Sequence, residues 1–342
     1  MKRLLYFIAF GIVFSLTISC HKDKSKYEQL VTEKIQYDVS IKNNDCDIDW
    51  WIQNIEGPQR DKFINLLFNA VEDNKIKIYN MNQQIVSLEN IVSNLFTFDT
   101  IHLQKNGKNK QIIDTVFVSS SFNFKNVTKI RFDEKWKFNT KTLLLSKEIK
   151  GFCPILVTEM GEDNAVIELP LFWVYPDTVI NSDTSNNYII TKKIQYDVFV
   201  KSEDKGKDWW MNNIETSDRE NFLKEIINAA IKEKIKTYDY FNKPLDKKKL
   251  KEILHRTDSV SIENLDNPYE NIDTVMTTDY DQSSIVKIRF IEEWSINTQS
   301  FRFYKKVLAI CPMIEGIYNR ELGKCYTPLF WIYFDESLKN AE

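Results

Sequence analysis

Apolar and polar positions along this chain follow one order twice. Ile35 to Ile41 alternate, and so do Ile194 to Val200. A period of two is the mark of a half-buried strand. After each run, apolar residues recur at three- and four-residue steps. These are Phe63, Leu66, Leu67, Ala70 and Val71 in the first copy, and Phe222, Ile226, Ala229 and Ala230 in the second. That spacing predicts an amphipathic helix in each copy. Pro58 suits the start of the first helix, and Ser217 or Asp218 is placed to cap the second. A short apolar piece then ends at Tyr79 or Tyr238, and a weaker helical pattern covers Gln84 to Phe96 and Asp246 to Arg256. A variable insertion follows, and then three strand-like runs. Val127 to Phe138 and Ile285 to Ile296 alternate clearly. A turn at Asn139-Thr140 or Asn297-Thr298 leads into a longer strand ending near Cys-Pro, and a final strand carries Pro-Leu-Phe-Trp. The first two runs read as a hairpin.

The correspondence extends to residue identity. Lys34 to Val39 returns as Lys193 to Val198, and Asp49-Trp50-Trp51 returns as Asp208-Trp209-Trp210. Lys129 to Phe132 returns as Lys287 to Phe290, and Pro170 to Trp173 as Pro328 to Trp331. Solenoid units run roughly 20–50 residues, so this period is too long for one. It is the size of a domain with its own core. The expected fold class is α+β: two tandem copies of one domain, each an antiparallel sheet with helices on one face. The expected layout is a signal peptide over 1–19, a tether over 20–32, domains over 33–177 and 192–338, and a polar linker over 178–191. The pattern leaves open whether the copies pack on each other.

The N-terminus stands apart. Lys2 and Arg3 precede an apolar run from Leu4 to Ile18 that is short for a membrane span. It ends in Leu16-Thr17-Ile18-Ser19-Cys20. Small Ser19 before Cys20 reads as a lipoprotein cleavage site, although Thr17 holds the place where Leu is preferred. Cys20 then becomes the acylated first residue, and His21 to Lys26 the tether. The other reading is an ordinary secretory signal with a chance cysteine. The first implies anchoring to the outer membrane, with the periplasmic side favoured.

Composition narrows the chemistry. A net charge of -3 argues against a nucleic-acid partner, which calls for a basic face. The three histidines, His21, His102 and His255, are not shared between copies, so no His-based triad is duplicated. No CxxC and no suitably spaced histidine point to zinc, and no cofactor or metal is expected. Cys153 and Cys311 are equivalent and read as small buried side chains; a Cys311–Cys325 bridge is the alternative. The paired carboxylates are Asp38/Asp197, Asp49/Asp208, Glu56/Glu215, Asp114/Asp273, Glu134/Glu292 and Asp177/Asp335. Hydrolytic acid–base work needs two of them together in a cleft. Glu134 and Glu292 are instead read on the polar face of their strands, with a surface ion pair as their role. Trp136 and Trp173, with Trp294 and Trp331, read as core. The adjacent pairs Trp50-Trp51 and Trp209-Trp210 do not place both rings in one core, so one ring of each pair is expected to face a partner.

The late half of each repeat resembles the GldN/PorN family of gliding motility and type IX secretion. The residues that carry the resemblance are Trp136, Pro154, Leu171-Phe172-Trp173 and Tyr175-Pro176. In the second copy they are Trp294, Pro312, Leu329-Phe330-Trp331 and Tyr333. Arg60 with Phe63, and Arg219 with Phe222, fit the family's early helix. The chain departs from the pattern in carrying the domain twice, in its lipoprotein-like start, and in Phe334 where Pro follows the Tyr. The resemblance implies a non-enzymatic scaffold or interaction component with envelope protein partners. The alternative is a surface lipoprotein that binds a glycan or peptide. A carboxylate hydrolase ranks third.

Overall fold

The computed structural model describes residues 27–43, 51–95, 126–160, 165–176, 186–202, 208–263, 271–316 and 324–335. The first repeat runs β1 (Glu28–Ser40), α1 (Gly57–Glu72), a small ribbon of β2 (Ile78–Tyr79) and β3 (Ile85–Val86), and α2 (Leu88–Leu95). It continues with β4 (Val127–Asn139), β5 (Leu145–Met160) and β6 (Ala165–Pro170). The second repeat runs β7 (Asn187–Phe199), α3 (Thr216–Ile231), β8 (Thr237–Tyr238), β9 (Pro244–Leu245) and α4 (Lys247–Leu254). A hairpin of β10 (His255–Glu263) and β11 (Asn271–Asp279) follows, then β12 (Ile285–Asn297), β13 (Phe303–Glu315), β14 (Tyr326–Pro328) and β15 (Ile332–Tyr333). Both β1 and β7 begin ahead of residues 33 and 192, the expected domain starts, and the alternation becomes regular only from Ile35 and Ile194. The reason is an irregularity in pairing around Thr32 and around Thr191 that shifts the phase. Each threonine hydroxyl donates to the carbonyl two residues on, Lys34 or Lys193, at 2.9 and 3.0 Å.

Each repeat builds a half-barrel antiparallel sheet. The orders are β1-β4-β5-β6 and β7-β12-β13-β14, with β15 also on β13. Sheet dominates and helices are few, so the α+β description holds only loosely. The expected final strand is broken in both copies. Pro170 and Pro328 end β6 and β14, because proline has no N–H to donate to a ladder. Regular pairing breaks there and resumes beyond it, with Val174 on Phe152 and Ile332 on Ile310, while Trp173 and Trp331 bridge to Tyr79 and Tyr238. Pro58 sits in the first turn of α1, as expected, but the expected cap of the second helix is not used. α3 begins at Thr216 with Glu215 at its N-cap position and no side-chain cap, leaving Asp218 in the first turn, where its charge suits the helix dipole. Arg219 is buried and donates to the Ile214 carbonyl at 3.3 Å, and Arg60 donates to the Ile55 carbonyl at 3.1 Å. These arginines tie each helix start to the loop before it.

The two inner sheet faces meet in one core cluster that draws residues from both repeats. Phe132 packs edge-on to Trp294 at 5.1 Å, and Trp136 packs likewise on Phe290 at 5.3 Å. The helices cross the seam as well. Phe63 of α1 meets Phe303 of β13 at 6.0 Å, and Phe222 of α3 meets Phe138 of β4 at 5.1 Å. Trp136 and Trp294 are fully buried, with Trp173 and Trp331 close to it.

A shared core makes the repeats one folding unit. Phe222→Ala removes a fully buried ring that touches the other repeat. It is expected to cost about 3–5 kcal/mol and to shift a single urea transition. Two separate transitions in circular dichroism or tryptophan fluorescence would contradict the shared core.

Candidate functional site

The centre of the seam is polar. Glu134 lies on β4 in phase with Ile130, Phe132, Trp136 and Phe138, and Glu292 lies on β12 in phase with Ile288, Phe290, Trp294 and Ile296. Both carboxylates are 0 % exposed. The reading that put them on the polar strand face is therefore corrected. The strand's two-residue period alone carries them inward, and a partner makes that tolerable. Lys147 of β5 and Lys305 of β13 also sit on the inward phase. Lys305 Nζ lies 2.7 Å from Glu134 Oε1, and Lys147 Nζ lies 2.7 Å from Glu292 Oε1. Each ion pair thus joins one repeat to the other.

The remaining carboxylate oxygens are bound within the repeat. Tyr37 donates its hydroxyl to Glu134 Oε2 at 2.7 Å, and the Trp136 indole N–H donates to the same oxygen at 2.6 Å. Tyr196 and Trp294 do the same for Glu292 Oε2, at 2.5 and 2.8 Å. The two tyrosine rings stack across the seam at 6.1 Å, with their hydroxyls 3.4 Å apart. Each ammonium also lies over a ring of the opposite repeat, Lys147 over Phe290 and Lys305 over Phe132, both at 3.2 Å from the centroid.

The charge states follow from this geometry. Burial pushes the Glu292 carboxyl up, but Lys147, Lys305 and the Tyr196 hydroxyl outweigh it and hold the group below its ordinary 4.5. Burial pushes the Lys305 ammonium down to about 8, against the pull of Glu134 and Glu292. Burial, and then the neighbouring carboxylates, hold the Tyr37 and Tyr196 hydroxyls well above 10. The cluster has the residue types of an acid–base site but no exposed atom for a substrate to reach. Its chemistry is structural: a buried pair holds when both partners are present and its hydrogen bonds are filled.

The adjacent tryptophans lie at the outer seam. Trp50 lies outside the described residues, as do Cys20, Asp49, Asp114, Asp177 and His102. Trp51 is half-buried, and its segment runs along the edge of β7. Gln195 N–H donates to the Trp51 carbonyl at 2.9 Å and Gln53 N–H donates to the Gln195 carbonyl at 2.8 Å. Lys193 covers the Trp51 ring at 3.7 Å. The mirror arrangement holds Trp210 against β1: Gln36 N–H donates to the Trp210 carbonyl at 3.1 Å, and Lys34 covers the ring at 4.1 Å. These reciprocal clasps cover the edge backbone of both sheets. Trp209 stands edge-on to Trp210 at 6.2 Å and is 40 % exposed.

The other paired residues take no part in the buried cluster. Arg131 forks onto Asp38 at 2.7 and 2.9 Å, and Arg289 onto Asp197 at 2.6 and 3.0 Å. Glu56 and Glu215 are exposed at helix starts, and Asp208 and Asp273 are exposed as well. Asp335 pairs with Lys306 at 3.3 Å. Cys153 and Cys311 are buried free thiols, pushed up to about 12 by burial, which makes them inert. Among the described residues no group of three or more His, Cys, Asp or Glu is arranged to hold a metal ion.

The family profile described as gliding motility associated protein GldN matches this chain twice, over residues 52–203 and 191–341. The chain belongs to the GldN family. It is accordingly a component associated with gliding motility and type IX secretion, and it carries the family domain in tandem. No curated protein matches the chain. In this GldN-family protein, Trp136 and Trp294, two of the residues on which the resemblance rests, hold the buried glutamates.

Lys305→Met strands Glu134 in the core and is expected to cost about 3–5 kcal/mol. Lys305→Met with Glu134→Gln is expected to recover much of that loss, as read by urea unfolding. Equal losses in the single and double variants would refute the pairing. The pH profile has a definite sign. Glu292 titrates below 4.5 when folded, so just below 4.5 the unfolded chain binds the extra proton and stability falls as the pH falls. Above 10 the folded tyrosines keep protons that the unfolded chain loses, so their contribution falls as the pH rises. The acid limb is expected to flatten in Lys147→Met/Glu292→Gln, as measured by urea midpoints across pH.

Proposed function

We propose that this chain is a non-enzymatic, lipid-anchored interaction component of the gliding and type IX secretion apparatus. The observation that carries the reading is the tandem match to the GldN family. In this reading acylated Cys20 anchors the chain to the outer membrane, with the periplasmic side favoured, and residues 21–26 serve as the tether. The paired outer-seam tryptophans form the partner-facing surface. Trp209 supports that role, because an exposed indole on a fastened segment is a ready binding anchor. A non-catalytic role agrees with the seam chemistry, since Glu134 and Glu292 are sealed from water and each is matched by a lysine.

The test is a gentle-detergent pull-down of the tagged chain from its native envelope, read by mass spectrometry beside Cys20→Ala and Trp209→Ala. Motility or secretion proteins are expected with the wild type. They should fall away in Trp209→Ala, and Cys20→Ala should leave the membrane fraction. Recovery of the bait alone in good yield would overturn the assignment of partners.

A further inference from the structure

The repeats match in their interior but differ at one outer corner. In both, the small ribbon turns on an acidic or amide side chain. Asn80 Oδ1 accepts from the backbone N–H of Asn82 and Gln84 at 2.9 and 3.0 Å. Asp239 Oδ1 accepts from Phe241 and Lys243 N–H at 2.9 and 2.8 Å. The turns have one geometry, with Gln83 and Asn242 at φ 61° and 60°. Their tips differ. The first carries Met81-Asn82, and the second carries Tyr240-Phe241, 64 % and 76 % exposed and set edge-on at 5.6 Å. Two large rings this exposed bury little of their area in the fold.

The charge around the second tip is also different. Lys243 flanks it, and α4 opens Lys247-Lys248-Lys249 and continues to Lys251, all exposed. Leu250 and Leu254 are buried and seat the helix, which leaves the lysines outward. Asp246 is engaged as the helix cap, accepting from Lys249 N–H at 2.8 Å, and Lys248 reaches Glu252 at 3.9 Å. Tyr240, Phe241, Lys249 and Arg256 border one open groove of about 540 Å³ together with Asp239 and Glu252, so rings and cations share a surface. The equivalent helix α2, Leu88–Leu95, contains no lysine. This basic corner sits on a chain whose net charge is -3.

We infer that the Tyr240–Phe241 tip and the α4 lysines form a membrane-contact face for anionic lipid. Aromatic side chains settle at the headgroup boundary, where one end is apolar and the other wet. Clustered lysines draw the face to an anionic leaflet at about 1 kcal/mol each, roughly a fivefold gain in partition per lysine. The short turn inserts no more than its two rings, so this is a docking contact and not a span. The face is independent of the proposed acyl anchor. It orients the second repeat against the bilayer, and a single acyl attachment leaves that orientation free.

The test uses the chain from His21 onward, which contains every described residue and has no cysteine to acylate at position 20. It is sedimented with phosphatidylethanolamine–phosphatidylglycerol vesicles and with phosphatidylcholine vesicles. Binding is expected to the first only, and it should weaken steeply as salt rises. Lys247→Gln/Lys248→Gln/Lys249→Gln is expected to lower the partition about a hundredfold at low salt. Glutamine keeps helix propensity, and circular dichroism checks that the fold is intact. Tyr240→Ser/Phe241→Ser is expected to abolish what binding survives at high salt. Absence of wild-type binding to anionic vesicles would overturn the proposal. So would binding unchanged by the lysine substitutions, or capture of an acidic protein without vesicle binding. Because position 20 is missing throughout, failure here leaves the Cys20 anchor untouched.

Discussion

The structure depends on an exchange of buried charge. Each repeat places a glutamate and a lysine in its own core, and neither makes its close ion pair at home. Glu134 is answered by Lys305 and Glu292 by Lys147. With the repeats packed, removing one partner of a pair would leave the other ion buried and without its close counter-charge, at a cost of several kcal/mol. The apolar contacts across the seam supply bulk attraction but set orientation only loosely. The ion pairs and the stacked tyrosines set it closely, because a small rotation separates the charges from their partners.

The outer parts of the seam are arranged to the same end. The Trp51 and Trp210 segments lie along the partner sheet's edge, and their backbone bonds to Gln195 and Gln36 occupy groups that would otherwise face water. Lys193 and Lys34 close over the indoles. The helices reach across with Phe63 and Phe222. Interior pairs, clasps and helices all obey the same approximate twofold relation, which is expected when two copies of one surface meet face to face.

Much of this was legible in the sequence. The alternating runs gave β1, β4, β7 and β12, and the three- and four-residue steps gave α1 and α3. The duplicated residues announced the tandem organisation. The end of each repeat was harder, because Pro170 and Pro328 stop the ladder just where an apolar run suggested continuous strand. The central site is present in the pattern, but side-chain polarity alone places it on the wrong strand face. Glu134 falls in phase with Phe132 and Trp136, and Lys147 falls in phase with Leu145 and Ile149. A charge on the apolar phase is a strong signal when it occurs in both copies. Reading it correctly required giving parity more weight than residue polarity. What no single-strand pattern could show is that each charge is matched in the other repeat, because strand periodicity gives direction but not distance. The wrap of Trp51 around β7 is hidden for the same reason.

The crossed pairing also bears on how such a chain can change over time. A duplicated gene ordinarily frees one copy to drift. Here the interior copies are not free, since a substitution at Glu134 is compensated only at Lys305, far away in the other half. The outer surfaces carry no such constraint, and there the copies have parted: Met81-Asn82 faces Tyr240-Phe241 across the pseudo-symmetry, and Leu88–Leu95 faces a lysine-rich counterpart. The two halves have diverged where they meet their surroundings and remained in step where they meet each other.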